Sequence, residues 1–253
     1  MKSSVENGYW NSGYADMPLI YNQDDIEFRD LFDRYLSPGG SCFEVGCYPG
    51  NYLIYLSKRF GYQVNGIDTA PYVLTRLPGH LKSHGATIGN CYQGDFLSFK
   101  SNEFYDVVCS FGFVEHFLHF EEVIRKHAQL VRPGGTLIIS CPNFKGIQYI
   151  LHRLLDPINL RRHVLRAMNL RLWRHVLEQS GMEILHQDYY RTADFWVDTQ
   201  HSEYLARRAI YSVKWATTQI DRRVNWPNPL LSPYMISFSR KIGTEAHENS
   251  SHR

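Results

Sequence analysis

The sequence predicts an α/β fold in which a single, mainly parallel sheet is flanked by helices. Three observations carry that expectation. Residues Ser41 to Asp68 read as one β-α-β unit: an apolar run, a glycine turn, a helix-period segment, and a second run ending on an acid. Further short apolar runs alternate with helix-period segments as far as Tyr190. The chain has 253 residues, 43% of them hydrophobic, enough for one core with room for an appended lid.

Composition excludes several classes. A formal net charge of +2 gives no global case for nucleic acid. The five cysteines (Cys42, Cys47, Cys91, Cys109, Cys141) contain no C-x-x-C pair. Four of them lie in or beside predicted strands, as small apolar core residues of a reducing compartment do. The opening MKSSVENGYW has no apolar signal region, and no run reaches the ~18 apolar residues of a membrane span. A cytoplasmic protein with no membrane span is expected.

The β-α-β unit holds the first chemistry. Gly46 and Gly50 let the chain turn sharply and approach a ligand where a side chain would collide. Asp68, ending the second strand, can accept two hydrogen bonds from a ribose diol. A dinucleotide site would need G-x-G-x-x-G, and Tyr48 stands where its second glycine belongs. The remaining pattern, Glu44-x-Gly46-x-x-x-Gly50, resembles motif I of the class I S-adenosylmethionine-dependent methyltransferases. The resemblance implies that Glu44, Gly46, Cys47, Tyr48 and Gly50 line the methionine part of the cofactor and that Asp68 holds its ribose. An ordinary buried β-α turn is the plain alternative.

Upstream, residues 1–36 form an expected aromatic flap and helix. Tyr9, Trp10, Tyr14 and Tyr21 need a surface to cover, either cofactor and substrate or the outside of the sheet. Tyr14 and Tyr21 are taken as substrate-side candidates. Asp25 to Leu36 reads as one amphipathic helix, ended by Pro38-Gly39-Gly40.

Downstream of Asp68, a weak helix from Val73 is expected to break at Pro78-Gly79. A short strand around Cys91 to Gln93 leads to Asp95 and Phe96. The resemblance implies that Asp95 bonds the adenine amine and Phe96 packs on the ring; alone, Asp95 reads as a loop cap. The fourth strand, Tyr105 to Ser110, runs into Phe111-Gly112-Phe113-Val114-Glu115-His116, similar to motif IV of the same family. Ser110 and Phe111 are then cofactor-side residues and Glu115 a substrate-side one. His116 is the near-neutral titrating group there, read either as general base or as a brace of the pocket. No metal is expected. His119 follows three residues on, but H-E-x-x-H is absent and no third ligand has a recognisable spacing.

Glu121 to Leu130 reads as a helix, Val131 to Gly135 as a turn, and Thr136 to Cys141 as the fifth strand. Asn143 and Phe144, just beyond it, are candidate substrate contacts or turn residues. The methyltransferase domain is placed at 37–243, with lid segments near 145–168 and 191–232 and a polar tail at 244–253. Arg161, Arg162, His163 and Arg166 make a basic cluster suited to an anionic substrate or simply to solvent. Ser202 to Arg222 is an amphipathic basic helix, open to packing at home, capping the pocket, pairing as a homodimer or lying on a membrane surface.

The resemblance, covering about residues 40–190, implies a Rossmann-like seven-stranded sheet in the order 3-2-1-4-5-7-6, strand seven antiparallel. It implies S-adenosylmethionine as cofactor and a small-molecule acceptor. A closer similarity to enzymes of surface-polysaccharide and glycolipid pathways points to a sugar hydroxyl, nucleotide- or lipid-linked. A hydroxyl acceptor needs a base or a metal, which an unprotonated amine does not. An N-methyltransferase and a catalytically silent cofactor-binding scaffold stand as alternatives, and a nicotinamide oxidoreductase is disfavoured by Tyr48.

Overall fold

Seven strands form one sheet in the order β3-β2-β1-β4-β5-β7-β6. They are β1 (Ser41–Val45), β2 (Gln63–Asp68), β3 (Thr87–Gln93), β4 (Tyr105–Phe111), β5 (Val131–Pro142), β6 (Met182–Tyr190) and β7 (Tyr234–Lys241). β1 to β5 pair in parallel, and β7 inserts antiparallel between β5 and β6. This is the order the family resemblance implied. The computed structural model describes residues 13–15, 17–196 and 204–243. Tyr9 and Trp10 of the expected flap and the tail at 244–253 lie outside them. No helix among the described residues is long and apolar enough to cross a membrane.

The two sheet faces explain the helices. One face buries Phe43, Val108, Leu137 and Ile139 under α5 (Phe120–Gln129) and α8 (Leu170–Gln179). The other buries Val64, Val107 and Ile138 with α1 (Arg29–Tyr35) and α2 (Asn51–Phe60). Strands buried on both faces read as continuous apolar runs, which is why β4 and β5 stood out. Asn169 starts α8 by accepting from the Arg171 and Leu172 N–H groups at 3.0 and 3.3 Å.

Three elements differ from their sequence reading. The helix expected over Asp25 to Leu36 is divided into a 3-10 turn, Gln23–Asp25, and α1. Between them Phe28 is left-handed at φ 66°, and its ring is buried against Phe32, Phe111 and Tyr190. Packing of that ring overrides helix propensity, which is a weak preference. The break expected at Pro78-Gly79 falls instead at Arg76, between α3 (Tyr72–Thr75) and α4 (Leu77–Ser83). Pro78 lies in the first turn of α4, where its missing N–H costs nothing. The turn expected at Val131 to Gly135 joins β5, with a register shift between Tyr105 and Val107 of the partner strand.

Past β5 come α6 (Ile147–Leu155), α7 (Pro157–Arg161) and a 3-10 turn, Leu165–Ala167. α9 (Tyr204–Asp221) is tied at its C-terminal end, where Asp221 accepts from the Thr192 N–H at 2.7 Å. Its Ile210 is buried, while Tyr211 and Trp215 are exposed.

Candidate active site

The carboxyl ends of β1, β2 and β4 bring the motif residues together. After β1, the Gly46 and Cys47 N–H groups both donate to the Ile67 carbonyl, at 2.9 and 3.2 Å. Gly46 has φ 73°, and a Cβ there would meet the Phe113 ring at 2.9 Å. Gly50, at φ 97°, leaves a Cβ no room beside Leu77. Only glycine suits either place. The Tyr48 N–H donates to Asp68 Oδ2 at 3.1 Å, and the Ala70 N–H to Oδ1 at 2.9 Å. Asp68 thus fixes the glycine loop, and its carboxylate, with about four acceptor sites, keeps capacity for a diol. Burial raises its pKa despite these N–H bonds.

Glu44 lies deeper. Its Oε2 is buried without a hydrogen-bond partner, as is Ser110 Oγ. Burial, with Cys42 and Asp68 nearby, holds its carboxyl well above the usual range. A cationic ligand head beside it would favour the carboxylate. S-adenosylmethionine carries a sulfonium and an ammonium, so an orphaned acid beside a glycine cradle and a ribose-type acid fits that group.

Over the loop, the Tyr14 ring sits 4.9 Å from Tyr48, and Arg76 holds the segment above it by donating to the carbonyls of Tyr14, Ala15 and Met17. Tyr21 is a correction. Its ring meets His84 at 5.3 Å and lies under Lys58, at the C-terminal ends of α4 and α2. Helix C-termini in a parallel sheet face the edge opposite the site, so Tyr21 covers helices and not substrate.

A cavity of about 360 Å³ opens beside the ends of β4 and β5. Phe28, Tyr52, Phe111, Trp196 and Tyr234 supply aromatic walls. Tyr52 stacks on Phe111 with ring centroids 3.7 Å apart. Glu115, His116 and His163 form its polar end. None of the described α9 side chains lines it; the 191–232 segment contributes Trp196 instead.

The polar end is assembled by two short turns. The Val164 N–H donates to the Glu115 carbonyl at 2.7 Å, clamping residues 159–164 over the 3-10 turn Val114–His116. His116 Nδ1 lies 3.1 Å from the Arg162 carbonyl, and His163 Nδ1 lies 2.8 Å from the Asn159 carbonyl. A carbonyl only accepts, so each Nδ1 carries the proton and each Nε2 the lone pair. The imidazole centroids are 4.7 Å apart. Glu115 is buried and its Oε2 has no hydrogen-bond partner. Burial raises its carboxyl to about 8 and lowers His116 to about 4.

His163 was legible only as one member of a basic cluster. The pairing considered for His116 in the sequence was His119, which is exposed at the start of α5. Asn143 is a second correction: its amide donates to the Pro229 and Ser232 carbonyls at 3.2 and 2.9 Å, bracing the segment before β7. Phe144 is buried behind the cavity, its ring 4.7 Å from that of His163. Asp95 is exposed and accepts from the Leu97 N–H at 2.9 Å, as a loop cap does. Phe96 is core, against Phe113 and His127. Of the basic cluster, Arg166 pairs with Glu121.

A family model described as a methyltransferase domain matches residues 22–187. The ubiquinone biosynthesis O-methyltransferase of Rickettsia canadensis is 26% identical over 152 residues, 58% of this chain and 63% of that protein. The enzyme of the same name from Xanthomonas campestris pv. campestris is 24% identical over 192 residues, 72% of this chain and 80% of that protein. Against the first of these, the chain spans less than two thirds of the relative's length. Among solved structures, phosphoethanolamine N-methyltransferase 2 of Haemonchus contortus, in complex with S-adenosyl-L-methionine, has a TM-score of 0.57 at 14% identity, covering 85% of this chain and 52% of that one. That likeness is one of fold.

Proposed function

The chain belongs to the class I S-adenosylmethionine-dependent methyltransferases, and from that premise we propose that it methylates a hydroxyl on a ring-shaped small molecule held in the cavity beside β4 and β5. The observation that carries this reading is the group of Glu115, His116 and His163, the first two buried and the third half-buried, at the polar end of an aromatic-walled cavity. Aromatic walls take the face of a ring. A proton-accepting end suits a hydroxyl, which must lose its proton as it attacks, more than an unprotonated amine, which attacks through its lone pair and sheds a proton afterwards.

When bound, S-adenosylmethionine supplies a methyl group already activated by its sulfonium. The chain then has three tasks. Glu44, the Gly46 to Gly50 loop and Asp68 hold the cofactor. The aromatic walls orient the acceptor and exclude water, which is where most of the rate arises in such a displacement. His116 Nε2 deals with the acceptor proton, either by taking it or by holding an ion that acidifies the hydroxyl. Residues 159–163 and Trp196 act as the lid side of the site. A sugar ring, expected from the sequence, and a ring of ubiquinone biosynthesis, the pathway in the relatives' names, both meet these demands.

The test is calorimetric titration with S-adenosylhomocysteine, followed by an acceptor screen across nucleotide sugars, glycolipids, phenols and amines. Asp68→Ala is expected to weaken binding by about 1.5–3 kcal/mol, the range for hydrogen bonds to a charged group. Methyl transfer to ring hydroxyls that His116→Ala abolishes supports the reading. Transfer to amines alone, insensitive to His116→Ala, would replace it with N-methylation. Binding without any transfer would favour a silent scaffold.

A further inference from the structure

We propose that Glu115, His116 and His163 bind a divalent transition-metal ion of the zinc type at the wall of the acceptor cavity. The ion's use rests on the methyltransferase reading; its binding does not. One ligand atom from each of the three residues lies within 4.8 Å of the other two. Three atoms within that limit stand at most about 2.8 Å from their common centre, and a contraction of at most roughly 0.7 Å each reaches zinc's ~2.0–2.2 Å bonds to nitrogen and oxygen. Two imidazoles and one carboxylate are the donors this class of ion prefers. Three protein ligands leave a coordination position open, as in catalytic and unlike closed structural sites. Here the open side is the cavity.

Two further features suit a ligand set better than ordinary core. Ligating histidines characteristically donate their second ring N–H to a carbonyl or carboxylate, which fixes the ring and its tautomer. His116 does so to the Arg162 carbonyl and His163 to the Asn159 carbonyl. Glu115 is 1% exposed with Oε2 unpaired, and a buried acid without a partner is costly unless a cation compensates it. The Val164 to Glu115 backbone bond holds both halves of the set in place before any ion arrives.

An ion there would bind the acceptor oxygen and make its hydroxyl acidic near neutral pH. The hydroxyl proton passes to water and the oxygen lone pair forms the bond to the methyl carbon. The bond from that carbon to sulfur breaks, its electron pair staying on sulfur. Under this assignment His116 is a ligand and not the base.

The experiment is titration of the chelator-treated protein with Co2+, read by visible absorption, and with Zn2+, read by calorimetry. We expect one ion per chain and ligand-field bands of a low-coordinate cobalt site. Glu115→Gln and His163→Ala should each weaken binding at least ~100-fold, since losing even a partner beyond the ligands costs about 10–100-fold. His119→Ala should bind like the parent. No ion bound by the parent protein overturns the proposal, as does unchanged affinity in both variants. The parent titration decides alone if the variants do not fold. Titration of the same samples with S-adenosylhomocysteine separates the two readings. Cofactor bound without metal sinks only the metal site, and metal bound without cofactor sinks only the methyltransferase reading.

Discussion

At Glu44 a carboxyl group is buried at the end of β1 with one oxygen unpaired. Its folded pKa lies above the unfolded value of about 4.3, so the folded state keeps a proton the unfolded chain releases. Its contribution to stability is therefore greatest below about pH 4 and declines as pH rises toward the folded pKa. Glu44→Gln should flatten that decline, other groups cancelling in the comparison. Urea unfolding of both proteins across pH 4.5 to 8 checks this, and parallel profiles would refute it. Gly50→Ala should cost about 1–3 kcal/mol, from the left-handed backbone alone, with the crowding at Leu77 adding to it; the urea midpoint gives the value. These residues were legible because glycines and an acid at a strand end have few other uses. His163 was not, because 47 positions separate it from His116 and only the clamp at Val164 makes them neighbours. Asn143 misled for the opposite reason: it follows β5 at the expected edge, but its amide is engaged by carbonyls from far along the chain.

Between elements, Arg191 is the main tie on the lid side. It donates to both carboxylate oxygens of Glu27, at 2.8 and 2.9 Å, and lies 3.5 Å from Asp221. It thus joins the segment before α1, the end of β6 and the end of α9, and Glu27 is itself a cavity wall. Arg191→Met should cost about 1–2 kcal/mol, the lower part of the range for charged hydrogen bonds, because its side chain is still 33% exposed. Thermal unfolding measures that loss, and acceptor KM should rise more than cofactor affinity falls. Helix and strand periods could not reveal this tie. They placed β4 within a residue, yet took the first part of β5 for a turn and missed the division at Phe28, where one buried ring outweighs local preference.

Across the whole molecule the sheet order was legible because its motifs imply it, and the order has a mechanical cost. β7 is the last of the described strands in chain order but pairs with both β5 and β6. A chain ending at Pro233 should show no cooperative unfolding transition and no native near-ultraviolet dichroism, whereas a sheet able to close without β7 would keep both. During synthesis, therefore, the edge of β5 with Leu137, Ile138 and Ile139 stays open until β7 emerges. At translation rates of roughly 5–20 residues per second that wait is about 5–20 s. A nascent chain of this kind is a natural client for chaperones, and its yield in a heterologous host should follow chaperone supply more closely than its folded stability.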